Sequence, residues 1–190
     1  MRKLKLQVQM SVDGFIAGPN GEMDWMEWNW DDELKKYIGD LTESIDCIVL
    51  GRKLAEGFIP YWATVAANPN NPEVDAGKIF TNTGKVVFTK TLDSSLWDNT
   101  FLAKGDLAEE ITKLKNTDGK DIIAYGGASF VSALIKAQLI DEFHLVINPT
   151  AIGSGLTIFK EIENKQAFTL IKSTAFSCGI VVLNYKLKSS

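Results

Sequence analysis

The stretch Ala124-Tyr125-Gly126-Gly127-Ala128-Ser129 puts two glycines between a short apolar run and a segment with helical spacing. Glycine lets the backbone turn sharply and approach a ligand closely, because no Cβ stands in the way. A helix start offers unpaired N–H groups and a partial positive charge, both suited to phosphate. Ser129 adds a hydroxyl. The chemistry these residues suit is the holding of a phosphate, such as that of a nucleotide. A plain tight strand-to-helix connection uses the same residues, so the turn alone leaves both readings open.

Leu50-Gly51-Arg52-Lys53 repeats the pattern: an apolar run ends in glycine and two cations follow. Ligands of open α/β sheets bind at such carboxyl ends of strands. Arginine grips phosphate with two parallel hydrogen bonds where lysine acts as a point charge. Only two of the 20 basic residues are Arg, Arg2 and Arg52, which marks Arg52 as a candidate; a solvated pair on a helix start is the plainer alternative.

A third candidate region is 11–30. Asp13-Gly14 breaks an alternating run, Asn20-Gly21 turns the chain, and Trp25, Trp28 and Trp30 follow within six residues. Indoles beside a loop can stack on a flat ring, which makes Trp25 and Trp30 candidate substrate contacts. A hydrophobic flap over the core or a dimer contact explains them as well. Asp13 reads as a turn former. Asp24 and Asp31 are better candidates than Asp13 for a catalytic carboxylate near the site, on their neighbourhood alone. His144 alternates with apolar residues and has no nucleophile beside it, so it reads as structural. Asn148 to Gly155 reads as a flexible strand exit.

The elements that must position these groups follow from periodicity. Leu4, Leu6, Val8 and Met10 alternate with Lys and Gln, predicting a strand with one buried face. Leu34, Tyr37, Ile38 and Leu41 predict a helix over 31–44. Ile45 to Leu50 predicts an inner strand, with a short helix after Gly51. Residues 60–84, with Asn68-Pro69-Asn70-Asn71-Pro72 at their centre, read as a long irregular segment, a lid or an interface element. Further strands are predicted at 85–88, 121–125, 143–147, 168–176 and 180–187, and helices at 107–114 and from 128. Alternating strands and helices followed by strands alone predict an α/β domain, a mostly parallel sheet with an antiparallel edge.

Bulk properties narrow the function. At 190 residues and 45% apolar, the chain suits a single domain spanning 1–190 with one sizeable core. The net charge of -4 argues against nucleic-acid or anionic-membrane binding, so any anion must be held by a local site. Two cysteines and one histidine argue against a metal site and suit free thiols in a reducing cytoplasm. No apolar run approaches the ~18 residues that span a bilayer, and the alternating start does not suit a signal peptide.

As an ordered set, residues 11–17, Leu50-Gly51-Arg52-Lys53, Tyr125-Gly126-Gly127-Ala128, Ile140-Asp141-Glu142-Phe143-His144-Leu145 and residues 153–159 resemble the dihydrofolate reductase-like superfamily. The resemblance is to the branch that includes the reductase domain of bacterial riboflavin biosynthesis. It implies a doubly wound, mostly parallel sheet of about eight strands with NADPH across the strand ends. By that resemblance Ala17 contacts the nicotinamide through its backbone, and Gly51, Arg52 and Lys53 lie on the adenosine phosphates. Thr89 and Lys90 help hold the 2′-phosphate, and Gly126, Gly127, Ala128 and Ser129 hold the pyrophosphate. Leu54 stands where the family's glycine-arginine motif continues to threonine. The resemblance implies a homodimer and an NADPH-dependent reduction of a small heterocycle. The ribosylaminopyrimidine of riboflavin biosynthesis comes first, a pteridine or dihydrofolate second, and a non-catalytic nucleotide-binding protein stands as the rival reading.

Overall fold

The computed structural model describes residues 1–188. Strand β1 (Leu4–Ser11) is followed by a loop over 12–31, helix α1 (Asp32–Glu43) and strand β2 (Ile45–Gly51). Helices α2 (Arg52–Ala67) and α3 (Val74–Asn82) lead to strands β3 (Gly84–Phe88) and β4 (Thr100–Ala103). Helix α4 (Leu107–Lys115), strand β5 (Asp121–Ala124), helix α5 (Ala128–Lys136) and strand β6 (Glu142–Asn148) follow. Strands β7 (Phe168–Ala175) and β8 (Val181–Leu187) complete the chain.

These strands form one eight-stranded sheet in the order β4-β3-β2-β5-β1-β6-β8-β7. All neighbours from β4 to β6 are parallel, whereas β8 runs antiparallel to both β6 and β7. The expected architecture, parallel with an antiparallel C-terminal edge, is the one observed. Ile48, Leu50, Ile123 and Val87 pack with residues of α1, α2 and α3 on one face. Leu4, Leu6, Val8, Val49 and Ile122 pack with Ile111 of α4 and Val131, Leu134 and Ile135 of α5 on the other. Each fully buried Leu or Ile contributes about 1.5–3 kcal/mol, enough to fix which side of the sheet each helix covers.

Three sequence expectations need correction. The irregular segment predicted for 60–84 is mostly helical: α2 runs through Pro60 to Ala67, and α3 occupies much of the rest. Pro60 removes one backbone hydrogen bond. Burial of Ala55, Ile59 and Val65 outweighs that loss. Phe58 also packs edge-on with Trp62 and with Phe80 of α3, and Trp62 lies tilted against Phe80. The helices cross closely because Gly77 has no side chain; a Cβ there would lie 2.7 Å from the Ala66 nitrogen. Strand β4 was not anticipated; Thr100 and Ala103 are buried in it while Phe101 stays exposed. Finally, β1 is buried on both faces. Its polar row is paired rather than solvated: the Lys5 ammonium lies 2.9 Å from the Asp121 carboxylate and donates to the Ser44 hydroxyl at 2.8 Å.

Candidate functional site

Val49 of β2 pairs with Ala124 of β5, so Gly51 and Gly126, each two residues further on, end adjacent parallel strands. Helix α2 leaves Gly51 toward one face of the sheet, and α5 leaves Gly127 toward the other. The strand order reverses between them, the topological point at which doubly wound sheets receive ligands. The two glycine-ended motifs read separately in the sequence lie on neighbouring strand ends.

Glycine is required there for two different reasons. Gly126 and Gly127 have φ of +133° and +81°, conformations that side chains rarely adopt. Gly51 has an ordinary φ of −75°, but a Cβ on it would lie 2.9 Å from the Phe130 Cβ in the first turn of α5. The first residue of each helix follows its glycine directly, and neither helix has a side-chain cap. The leading N–H groups of α2 and α5 therefore have no intrachain side-chain acceptor, the arrangement that favours an anion. Ser129 lies in the first turn of α5, and Leu54 packs against the Gly126-Gly127 turn as an apolar wall.

Arg52 is half-buried and pairs with Glu56 one turn along α2; Lys53 is exposed. Gly51 pairs with Phe88, so Thr89 and Lys90 continue the same edge of the sheet from β3. They line a cleft of about 320 Å³ with Phe88, Ala103, Gly105, Asp106 and Leu107. The Thr89 hydroxyl accepts from the Thr91 and Leu92 N–H groups at 3.1 and 3.2 Å, which orders this turn. Arg2 belongs elsewhere; it ties the N-terminus to Asp46 and Thr117.

On the other side of β5, the 12–31 loop lies over the ends of β1 and β6. The Ile16 N–H donates to the Leu156 carbonyl, and the Leu156 N–H to that of Ala17, both at 2.8 Å. Gly155 permits this approach, since a Cβ there would overlap the Ala17 oxygen. Asp13 accepts from the Ser11 hydroxyl at 2.6 Å, the Gly153 N–H at 2.7 Å and the Ile152 N–H at 3.2 Å. It is the turn former the sequence suggests, and these bonds, the Ser11 one foremost, hold its carboxyl below the usual range.

The tryptophans divide. Trp30 packs with Leu34, Val146, Phe176, Ile180 and Val182, and its indole N–H donates to the Glu27 carbonyl at 2.7 Å. That is a core role. Trp25 is half-buried and donates to the Glu22 carbonyl at 3.2 Å. Trp28, which sequence reasoning passed over as a ligand contact, is 62% exposed and stacks on Trp30 with ring centroids 6.1 Å apart.

Asp31 is the N-cap of α1. It accepts from the Leu34 N–H at 2.8 Å, and also from the Ser177 hydroxyl at 2.8 Å and the Cys178 N–H at 3.1 Å. The Leu34 bond foremost, with those from Ser177 and Cys178, pulls its carboxyl down to about 2. Such a group stays ionised at neutral pH, and its hydrogen bonds are those of a helix cap. Asp24 is exposed on the flap.

Asn148 went unnoticed as an anchor. Wholly buried at the end of β6, it accepts from the Glu27 N–H at 2.8 Å and donates to the Gln9 side chain at 2.8 Å. It thereby fastens the flap to two strand ends; only the pairing of Ser11 with Asn148 across β1 and β6 could have revealed it. His144 is structural, as expected: its Nδ1 lies 2.6 Å from the Tyr37 hydroxyl, and burial lowers its pKa.

Residues 2–182 match the family model described as RibD C-terminal domain. The chain is 31% identical over 186 residues to uncharacterized protein YyaP of Bacillus subtilis (strain 168), covering 97% of this chain and 94% of that protein. Among solved structures it resembles a diaminohydroxyphosphoribosylaminopyrimidine deaminase/5-amino-6-(5-phosphoribosylamino)uracil reductase from Thermotoga maritima. There the TM-score is 0.70 at 18% identity, over 98% of this chain and 57% of that one. It also resembles dihydrofolate reductase from Enterococcus faecalis complexed with NADP(H), with a TM-score of 0.63 at 18% identity over 98% and 97% of the two chains. Both are likenesses of fold.

Proposed function

The chain belongs to the RibD C-terminal domain family, and from that premise we propose that it is an NADPH-dependent reductase of a small, flat heterocycle. The observation that carries this is the pair of uncapped glycine-led helix starts at the adjacent ends of β2 and β5. Such a cradle takes a pyrophosphate on backbone N–H groups, and the donor set around it fits the rest of the nucleotide. Gly126, Gly127, Ala128 and Ser129 hold the pyrophosphate in this reading, and Gly51, Arg52 and Lys53 hold the adenosine phosphates. Thr89 and Lys90, at the cleft beside β3, hold the 2′-phosphate.

When bound, NADPH supplies the hydride; this chain supplies position and shelter. The Ala17 backbone, fixed by Leu156, sets one side of the nicotinamide place. Trp25 and Trp28 form the flap that covers an acceptor ring and excludes water. With Asp31 committed to α1, the proton that completes the reduction comes from water, or from Asp24 if the flap brings it over the ring. The ribosylaminopyrimidine and pterin ring systems are the acceptor classes of this reading. The working form is proposed to be a cytoplasmic homodimer, with Cys47 and Cys178 as free thiols.

The test is a titration of tryptophan fluorescence with NADPH and NADH, followed by NADPH oxidation with each acceptor class. Tighter binding of NADPH and turnover above the enzyme-free rate are expected. Equal affinity for the two cofactors would remove the 2′-phosphate role. NADPH binding with no turnover would favour a non-catalytic nucleotide-binding protein.

A further inference from the structure

Charge is spread unevenly across the proposed site. On the β2–β3 side Arg52, Lys53, Lys90 and Lys104 stand among Glu56, Asp93 and Asp106, with Arg52 paired to Glu56 and Lys104 to Asp93. On the other side three segments meet: 12–31, 148–159 and 176–180. Asp13 joins the first to the second through Ile152 and Gly153, and Asp31 joins the first to the third through Ser177 and Cys178. Together these segments contain five carboxylates, Asp13, Glu22, Asp24, Glu27 and Asp31, and no Lys or Arg.

A second feature is independent of that count. Two elements on this side that could bind an anion are filled by the chain's own carboxylates. The Ile152 and Gly153 N–H pair donates to Asp13. The start of α1 is capped by Asp31. On the cofactor side the corresponding helix starts, of α2 and α5, have no side-chain cap. Asp13 and Asp31 are held below their usual range by these bonds, as Glu22 is by Asn20, so the flap side keeps its negative charge well below neutral pH.

We infer that the hydride acceptor is an uncharged or cationic flat heterocycle bearing neither a phosphate nor a carboxylate tail. The inference rests on the reductase reading and narrows its substrate class. A phosphate ester needs cations or unclaimed N–H donors to offset its desolvation, and this side offers it repulsion instead. The exposed Trp28 and half-buried Trp25 suit the opposite ligand, because an indole face both stacks on a flat ring and attracts a cation. The 5-amino-6-(5-phosphoribosylamino)uracil for which the Thermotoga maritima reductase is named would then be a poor substrate here, although the fold is shared.

The experiment compares two ring-matched pairs under saturating NADPH: 5-amino-6-ribosylaminouracil against its 5′-phosphate, and dihydropterin against dihydrofolate. NADPH oxidation is followed at low and at high salt. At least one neutral member is expected to show kcat/KM tenfold or more above its anionic partner. The gap should narrow in salt, because screening weakens repulsion between exposed charges. Asp24→Lys should raise the anionic-to-neutral ratio of kcat/KM several-fold, a ratio in which any loss of a proton donor cancels, while leaving the NADPH dissociation constant unchanged. An anionic member that is equal or better overturns the inference and leaves the reductase reading standing. NADPH binding with no turnover of either neutral compound overturns the inference as well. Failure to bind NADPH at all is the separate result that removes the reductase reading.

Discussion

Replacing Gly127 by Ala separates a phosphate cradle from a mere turn. Gly127 sits at φ +81° and ψ 98°, as the residue before α5. A Cβ there would meet Leu54 at 3.7 Å and Phe130 at 3.9 Å, ordinary contact distances, so no clash opposes the methyl group. The penalty is conformational, on the order of 1–3 kcal/mol for a non-glycine residue in a sparsely populated region. For a chain of this size that corresponds to a fall of roughly 2–12 °C in Tm. If the pyrophosphate rests on this turn, the variant also disturbs one or two charge-assisted hydrogen bonds. At about 1.5–3 kcal/mol for the first, NADPH affinity falls by ~10–150-fold. The assays are thermal unfolding of the ligand-free protein and fluorescence titration with NADPH well below Tm. Gly57→Ala is the control: Gly57 lies inside α2 with nothing within 4 Å of its would-be Cβ. It should gain about 0.5–1 kcal/mol in stability with unchanged affinity. A Gly127→Ala protein that loses stability but binds NADPH normally would refute the cradle. One with unchanged Tm would refute the strain argument itself.

Other consequences can be checked alongside. Arg52→Ala should weaken NADPH by about 2–3 kcal/mol, or ~30–150-fold, with little effect on Tm, since a solvent-accessible i,i+4 pair such as that with Glu56 contributes at most ~1 kcal/mol; unchanged titrations would leave Arg52 a surface pair. Lys90→Ala should lower NADPH affinity and spare NADH, and a proportional loss for both would remove Lys90 from the 2′-phosphate. Asp31→Ala should lower Tm by uncapping α1, whereas Asp31→Asn, which keeps an acceptor for Leu34, should retain turnover; loss of kcat in the Asn variant alone would restore Asp31 as an acid. The stabilisation from its low folded-state pKa is present above 3.8 and is lost as pH falls toward about 2. Burial of His144 depresses its folded-state pKa, so its contribution is complete above the unfolded value of 6.5 and is lost as pH drops below it. Tm should therefore decline from pH 7 to 5, and His144→Gln should flatten that slope.

The sequence by itself was enough for most of the strands, the class of the sheet and the two glycine motifs. These are local signals: alternation, a 3.6-residue period, and glycine where a side chain cannot go. It was also enough to place Asp13 in a turn and His144 in a strand interior. It misjudged what distant partners decide. Pro60 looked like a break until Ile59, Trp62 and Phe80 were packed around its helix. The polar row of β1 looked solvated until Lys5 met Asp121 and Ser44. Asp31 looked available as an acid until Ser177 and Cys178, 146 and 147 residues away, came to its carboxylate. Only the tertiary structure put Gly51 beside Gly126, because insertion of β5 between β2 and β1 is a property of strand order. The same folding brought Asp13 onto the N–H groups of Ile152 and Gly153. The charged groups were all legible along the chain; which anion sites they leave open and which they fill was set by long-range pairing, where the energy of a contact does not depend on distance along the sequence.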